Sequence, residues 1–332
     1  MKSYIVAAIK QERHIFTLLV IFMVIFGVFV VLKPGTFLRP SNFEAMSFQF
    51  PEYGVMALGV MLAMISGGID LSFVAVANFT GIIAVLIMQK AAGLPANQTI
   101  LIIFVAMLVA IACGGLIGTA NGMLVAYIGV PAFLATLGSM QMFTGLSIVL
   151  TGGRAIGKMP RIYSEFGNSQ FFGFLPLPLL VFVICFVCVA FLLRYTSYGA
   201  NVYLVGSNLQ AAKFSAVNYK GVLIRTHLIA GILSAVGGLI MISSYNSAKP
   251  DYGSAYLLQC ILIVILGGVS PFGGVGKISG VFIAILILQV TSSGINMFSS
   301  ISVHYRSLIW GLLLLFMIVL NYYEERKRQG RT

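Results

Sequence analysis

The sequence predicts an all-helical polytopic membrane protein with about ten transmembrane helices. Of its 332 residues, 59% are hydrophobic and only 8% are charged, with a mean hydropathy of +1.02. Soluble domains carry about 25% charged residues. Several uncharged stretches are long enough to cross a bilayer core, which takes roughly 20 helical residues. We therefore expect a single transmembrane domain over residues 1–332.

Apolar runs separated by Gly, Pro and charged residues define the predicted spans. The first run follows Lys10, Arg13 and His14. It exceeds the apolar region of a signal peptide and no small-residue cleavage site follows, so we interpret it as an uncleaved span. Eight to eleven spans fit the runs. The ten we favour are 15–32, 51–66, 71–88, 99–128, 132–150, 174–193, 223–243, 255–267, 278–297 and 304–321.

Two of these runs predict irregular segments. The run at 99–128 is overlong and contains Gly114-Gly115, which indicates a tilted, kinked or partly re-entrant helix. The run at 255–267 is short, as expected for a segment that stops inside the membrane.

The sequence contains two similar segments that lie 200 residues apart. Residues 62–87 match residues 262–287, with Gly67-Gly68 aligned to Gly267-Gly268 and an apolar helix rich in small residues after each pair. Interrupted hydrophobic segments in corresponding halves indicate a transport path. We therefore expect an internal duplication, although any two Gly-broken membrane segments share some likeness.

The distribution of Lys and Arg predicts the orientation. Basic residues are concentrated in the N-terminal segment 1–14, in the acid-free loop 194–222 and in the tail 322–332, and such segments stay cytoplasmic. With ten spans, both termini and this loop fall on the same side. The loop 151–173, which carries three basic residues, dissents because it would lie outside.

The remaining composition argues against several classes of protein. The net charge of +12 is scattered over loops and tails without an aromatic-interleaved patch, so we expect lipid and not nucleic acid around the chain. Cys185 and Cys188 spell CxxC, but with Cys113 and Cys260 they lie in apolar segments. We interpret all four as small buried hydrophobic residues. His14, His227 and His304 have no Cys or carboxylate at metal-ligand spacing, and no catalytic constellation is present.

Asp70 is the only acid that we place at membrane depth, where such residues are expensive and functional by default. It is a candidate proton relay, ion ligand or acceptor for a substrate hydroxyl. It also follows Gly67-Gly68 and precedes Leu71-Ser72-Phe73, where a new helix starts. We favour a helix cap, in which the carboxylate accepts hydrogen bonds from N–H groups of the first turn.

The loop after the sixth span predicts a short surface helix. Ser207 and Gln210 have the spacing of a capping box, and Leu209, Ala212 and Ala216 fall on one face. Such a helix either lies at the lipid headgroups or contacts a cytoplasmic motor protein.

No nucleotide-binding motif is found. The Gly-rich stretch 266–280 would need Gly at Pro271 and Ser or Thr at Ile278 to form a phosphate-binding loop. If nucleotide energy is used, another polypeptide supplies it.

Neutral hydrogen-bonding residues dominate the polar side chains in or near the spans, and they suit an uncharged polyol. Hydrogen bonds between helices explain some of them. These residues are Asn78, Asn121, Gln141, Thr144, Gln259, Gln289 and Asn296.

Four stretches in register identify a family. They are "ISGGIDLS" (65–72), "NGMLVAYIGVPAFLATLGSM" (121–140), "VGSNLQAAKFSAV" (205–217) and "ILGGVSPFGGVGKISGVFIAILIL" (265–288). They resemble the permease subunit of bacterial ABC importers for ribose and related simple sugars. The resemblance covers residues from about 45 to 320.

The resemblance implies a multi-pass protein of the bacterial inner membrane that pairs with a second copy or a paralogue. It implies two further partners, a cytoplasmic ABC ATPase that binds the ATP and an extracytoplasmic sugar-binding protein, with no cofactor on this chain. It also implies that 205–219 is the segment that contacts the ATPase. The candidate coupling residues are Gly206, Ser207, Asn208, Ala211, Ala212, Phe214 and Ser215.

The chain departs from the family pattern in two places. Ser207 stands where the family has the second Gly of Gly-Gly-Asn, and Ala216 stands where it has Gly after Ser. Serine at position 207 can still cap a helix, so we expect the short helix to form despite this departure.

The sequence therefore predicts the translocation subunit of an importer for a small neutral sugar, either a ribose-like pentose, a hexose or a furanone signal. The alternatives are a proton-coupled secondary transporter that uses Asp70 and, without any supporting residues, a membrane-embedded enzyme. We place seven residues along the substrate path: Gly67, Gly68, Asp70, Asn78, Asn121, Gln141 and Asn296.

Overall fold

The structure, a computed structural model, describes residues 2–171, 173, 175–298, 305, 308–315 and 319. It is dominated by α-helices. They are α1 (Lys2–Leu32), α2 (Pro34–Phe37), α3 (Pro40–Ile65), α4 (Phe73–Met88), α5 (Ala96–Met123), α6 (Ala132–Thr151), α7 (Arg161–Phe166), α8 (Leu177–Tyr195), α9 (Ser197–Ser207), α10 (Leu209–Phe214), α11 (Tyr219–Tyr245), α12 (Tyr256–Leu266) and α13 (Ile278–Asn296).

Regular structure other than α-helix is limited in this part of the chain. Strands β1 (Gln170–Phe171) and β2 (Leu175–Pro176) pair antiparallel, with Gln170 opposite Pro176. A 3₁₀ turn covers Gln89–Ala91, and a π turn at Leu124–Ile128 extends α5.

The predicted fold class is confirmed. Eight of the described helices are long and apolar enough to cross a membrane, and α12 is an apolar helix of only 11 residues. These nine elements correspond to the first nine predicted spans. The tenth, 304–321, lies only partly within the described residues, of which 305, 308–315 and 319 are helical. The tail 322–332 lies wholly outside them.

The second span is longer than predicted. Its helix begins at Pro40 and not at 51, and Pro51 lies within it. The additional turns carry polar, largely exposed residues such as Ser41 and Glu44. A search for uninterrupted apolar runs therefore starts the span too late along the chain to include them.

The central helix of the fold is α3. It packs against α8, α11, α12 and α13, and 89% of its most apolar 18-residue stretch is buried. Helix α1 packs against α13, but only 6% of its most apolar stretch of the same length is buried. An apolar helix with so little protein cover is suited to lipid or to another membrane-embedded subunit.

Of the tilted, kinked and re-entrant alternatives predicted for this run, the re-entrant one is wrong at Gly114-Gly115, because α5 continues as one helix through both residues. Instead, the glycines let α5 approach α11 closely. A Cβ atom on Gly118 would lie 2.1 Å from the carbonyl oxygen of His227, and one on Gly231 would lie 2.1 Å from that of Gly114. Small residues four apart are the usual means of bringing membrane helices into backbone contact.

This contact gives a test of the fold. We expect Gly118→Ala to lower the unfolding temperature of the detergent-purified chain, because the added methyl group forces α5 and α11 apart at a cost of about 1–3 kcal/mol. The matched control is Gly138→Ala on α6, where a Cβ meets no atom within 4 Å. Alanine favours a helix over glycine, so the control should be neutral or stabilising. Equal effects of the two substitutions would contradict the packing described.

Candidate translocation path and coupling segment

The first Gly-broken segment ends α3 in a Schellman turn. Gly67 adopts a left-handed conformation with φ of 91°, which glycine accepts without strain. The N–H of Gly68 donates to the carbonyl of Ala63 at 3.1 Å, and that of Gly67 donates to the carbonyl of Met64 at 3.0 Å. The turn thus satisfies carbonyl groups of a helix that ends inside the protein.

The second segment ends α12 in the same way, but one residue out of the predicted register. Gly268 has φ of 84° and donates to Ile265, while Val269 donates to Val264. Gly67 therefore corresponds to Gly268 and not to Gly267. Gly267 occupies the C-cap position that Ser66 holds in α3, so aligning the two Gly-Gly pairs misplaces the turns by one residue.

The two turns meet the end of α9. Gly274 N–H donates to the carbonyl of Ile65 at 2.9 Å. A Cβ atom on Gly206 would lie 1.8 Å from that same carbonyl oxygen, and one on Gly273 would lie 2.7 Å from the Cα of Gly67. We call this contact of residues 65–67, 206 and 273–276 the glycine junction. Tyr203 Oη adds a hydrogen bond of 2.8 Å to the carbonyl of Gly276.

The predicted surface helix exists as α10, but its cap differs from the prediction. Asn208 is the N-cap, and its Oδ1 accepts a hydrogen bond of 2.9 Å from Ala211 N–H. Ser207 ends α9 instead, and its Oγ donates to the carbonyl of Leu204 at 2.9 Å. The expected Ser207–Gln210 capping box is therefore not formed, because the chain starts the new helix one residue later.

Two residues of the predicted coupling set, Ala211 and Phe214, lie on the exposed side of α10. Ala212 is buried, whereas Ala211 and Ser215 are exposed and the Phe214 side chain is 91% exposed. The predicted face of Leu209, Ala212 and Ala216 is not formed, because the helix has only six residues and Ala216 lies beyond it with φ of 54°.

Asp70 is buried beneath the start of α4. Its Oδ1 accepts from Ser72 N–H at 2.7 Å and from Ser72 Oγ at 2.6 Å. Ser72 is the N-cap residue, so the carboxylate binds just before the first helical turn, whereas the prediction placed its donors within that turn. Asn121 Nδ2 donates to Ser72 Oγ at 3.1 Å, which places two predicted path residues in one buried network.

Asn78 lies on α4 beside a cavity of about 380 Å³. Its Nδ2 donates to the carbonyls of Pro250 and Tyr252, each at 2.9 Å. The cavity lies between α4, α6 and the segment that leads into α12. Its lining includes Val74, Ala75, Asn78, Met140, Thr144, Ile148, Gly153, Pro250, Asp251, Tyr252, Ser254 and Leu257.

The other predicted path residues are not gathered at this cavity. Gln141 is exposed on α6, and Asn296 is exposed at the end of α13, a helix that packs against α1, α3 and α12. Gly67 and Gly68 belong to the glycine junction and its flank, where a Cβ atom on Gly68 would lie 2.6 Å from the Cβ of Ala132.

The structure buries a second carboxylate, which falls within the predicted span 51–66 and contradicts the expectation that Asp70 is the only acid at membrane depth. Glu52 lies in α3 and is 4% exposed. Its Oε1 accepts hydrogen bonds from Tyr245 Oη at 3.0 Å and from Tyr256 Oη. Asp70 is thus not the only buried carboxylate. An acid beside a proline usually marks the flank of an apolar run. Glu52 next to Pro51 lies inside α3 instead, so the sequence offered only a misleading signal for its burial.

His14 and His227 each lie beside a backbone carbonyl, and His304 lies outside the described residues. His14 Nε2 lies 3.0 Å from the carbonyl of Leu266, and His227 Nδ1 lies 3.0 Å from that of Leu223. All four cysteines are free, but only Cys260 is buried. The expectation of four buried residues is wrong, because Cys113 and Cys185 are half-buried and Cys188 is exposed on α8, an apolar helix with little protein around it. Among the described residues, no group of three His, Cys, Asp or Glu side chains could hold a metal ion.

Known proteins similar to this chain are membrane permeases. The model of a family described as "Branched-chain amino acid transport system / permease component" matches residues 42–318. The autoinducer 2 import system permease protein LsrD of Yersinia enterocolitica is 31% identical over 303 residues, which cover 87% of this chain and 88% of the relative. LsrD of Yersinia pestis strain Pestoides F is 31% identical over 272 residues, or 80% and 78% of the two chains.

One solved structure shares the fold. It is an ABC transporter assigned to the metal-chelate type, in an inward-facing conformation, and it has a TM-score of 0.54. The similarity covers 94% of this chain and 99% of that chain at 12% sequence identity.

The Asp70 network can be tested by stability. We expect Asp70→Ala to destabilise the chain by about 1–3 kcal/mol, because it leaves the buried Ser72 N–H without an acceptor. Asp70→Asn keeps an Oδ1 acceptor and should stay closer to the wild type. Asp251→Ala is the control, since it removes an exposed carboxylate paired with Lys249 and should change stability by no more than about 1 kcal/mol. Unfolding in detergent would be followed by intrinsic fluorescence, and an unchanged Asp70→Ala variant would contradict the structural role.

Proposed function

We propose that this chain, which belongs to the family described as "Branched-chain amino acid transport system / permease component", is the permease subunit of an ATP-driven importer. Its proposed substrate is a small neutral sugar or furanone. The chain is an integral membrane permease, and its function is transport and not catalysis. The family matches more than three quarters of the chain, so the role applies to the whole helical domain.

The proposed substrate class is supported by two observations. The relatives from Yersinia are named as import permeases for autoinducer 2, a furanone signal. In addition, the cavity beside Asn78 is lined by neutral polar and apolar residues, with a single charged side chain among them. Such a lining suits a hydroxylated molecule without net charge, which must be released as readily as it is bound.

The observation that carries the proposed coupling is the contact of α9 with the glycine junction. Gly206 lies against the end of α3 and against Gly274, at the turn that follows α12. Directly after it, α10 presents Phe214 to the exterior. A force applied to α10 would therefore act on the turns that end α3 and α12, and both belong to the proposed path.

We propose the remaining partners on the same basis. A cytoplasmic ATPase binds ATP and contacts α10, an extracytoplasmic binding protein delivers the substrate, and a second permease subunit completes the path. The termini and the 194–222 loop would then be cytoplasmic. Transport follows from a shift between inward-open and outward-open states, so ATP and the loaded binding protein must favour different states.

The experiment that tests this function is uptake into proteoliposomes. The chain is reconstituted with and without its ATPase and binding protein, and autoinducer 2 or D-ribose is offered under either ATP on the ATPase side or an imposed pH gradient. Uptake that requires ATP and both partners supports the importer. Uptake by the chain alone, driven by the pH gradient and lost in Asp70→Asn, would overturn it in favour of proton coupling.

The coupling segment gives a sharper prediction. We expect Phe214→Ala to reduce ATP-driven uptake at least about tenfold without lowering stability, because an exposed aromatic anchor can supply more than 1.4 kcal/mol to an interface. Phe104→Ala, which removes another exposed phenylalanine on the apolar side of α5, is the matched control and should retain uptake. Normal uptake by Phe214→Ala would exclude α10 as the main contact.

A further inference from the structure

We propose that the cavity between α4, α6 and residues 250–257 is a binding site in the permease for one neutral, hydroxylated small molecule. The inference rests on the proposed transport function and assigns the ligand to particular residues. It concerns a place distinct from the glycine junction. Because α6 begins beside Gly68, Thr144 lies roughly 18 Å farther along the helix at 1.5 Å per residue.

The size of the cavity fits a small ligand. Its volume of about 380 Å³ is near the lower end of ligand pockets, which range from roughly 300 to 1,000 Å³. Apolar side chains form part of the wall, including Val74, Met140 and Leu257. A site of this size and lining accommodates one ring of monosaccharide size with both a hydroxylated edge and an apolar face.

One buried amide fixes the wall of the cavity. Asn78 is only 3% exposed, and its Nδ2 donates to two carbonyls of the opposite wall. Its Oδ1 lies behind the cavity surface, with less than 1 Å² accessible to solvent and no hydrogen-bond partner among the described residues. The polar groups that a ligand in the cavity can reach therefore include the side-chain hydroxyls of Thr144 and Ser254.

The charges around the cavity exclude a strongly charged ligand. Asp251 is the single charged residue in the lining described above, and its carboxylate is 2.9 Å from Lys249 Nζ. No Arg or Lys among the described residues lines the cavity to bind a phosphate or carboxylate. The remaining polar groups, Thr144 and Ser254, are neutral hydroxyls that can donate or accept.

The wall formed by residues 246–255 is held in place from three sides. Asn78 binds it from α4, and Ala248 pairs with Ile156 through two backbone hydrogen bonds of 2.8 Å. The ring of Tyr252 lies edge-on to that of Tyr245 at 5.2 Å, and Tyr245 donates to Glu52. The cavity is thus a preorganised site, which lowers the cost of binding a small ligand.

A protection experiment tests the site directly. The chain carrying Thr144→Cys is purified in detergent and treated with a maleimide, and peptide mass spectrometry separates the new thiol from the four native cysteines. With autoinducer 2 or D-ribose at about twice its Kd, labelling at 144 should slow about threefold, by the factor 1 + [L]/Kd. Leu146→Cys, on the exposed side of the same helix, should label at a rate that the sugar does not change.

A second variant links the cavity to transport. Thr144→Trp fills the space and should abolish ATP-driven uptake by the reconstituted complex, whereas Leu146→Trp should retain it. If the wild-type complex imports sugar, labelling at 144 is unprotected and Thr144→Trp still transports, the cavity proposal is overturned and the proposed function stands. Protection by a short-chain phospholipid but not by sugars would also overturn it, since the cavity would then hold an acyl chain. Protection by sugar without ATP-driven uptake would support the site and reject the ATP-driven function.

Discussion

The hydrogen bond from Gly274 N–H to the Ile65 carbonyl is the interaction on which the arrangement of α3, α9 and α12 depends. Helix α3 ends inside the protein, where its last carbonyl groups cannot rely on water. Two of them are satisfied by the Schellman turn at Gly67, and Ile65 is satisfied by the segment that follows α12. This bond requires backbone to meet backbone, so Gly206 and Gly273 cannot carry side chains without moving one of the three segments. Gly67 is constrained differently, because its φ of 91° disfavours any residue with a side chain.

A second set of backbone contacts makes one side of the molecule rigid. Helix α11 touches α5 at Gly118 and α4 at Gly238, where a Cβ atom would lie 2.3 Å from the carbonyl oxygen of Ala77. Helices packed at such distances cannot slide past one another without steric conflict. A change between two transport states must therefore be absorbed by the segments that join the helices. The turns of the glycine junction are such segments, whereas the 27-residue helix α11 is a stiff element.

The positions of the spans were predictable because hydrocarbon demands long uncharged helices. The first nine runs were found, and the short run at 255–267 forms the short apolar helix α12. What the sequence did not reveal were features set by tertiary contacts. Pro51 lies within a helix, Gly114-Gly115 serves packing, and Asn208 rather than Ser207 caps α10. The one-residue error in the internal alignment has the same origin, since only hydrogen bonds distinguish a C-cap glycine from the left-handed residue after it. Of the predicted path residues, Asp70 and Asn121 meet in one network, whereas Asn78 faces another site.

Asp70 and Asn78 show two ways in which the chain keeps a polar group buried. The Oδ1 of Asp70 accepts from the N–H and the hydroxyl of Ser72, and Asn121 extends that network. A charged residue alone was a strong signal in the sequence, but a carboxylate at membrane depth needs partners simply to remain buried. Asn78 is neutral, and its Nδ2 joins α4 to two carbonyls of the cavity wall, while its buried Oδ1 has no partner among the described residues. An unpaired neutral oxygen costs about 1–3 kcal/mol, so the two hydrogen bonds that hold the wall must offset that cost.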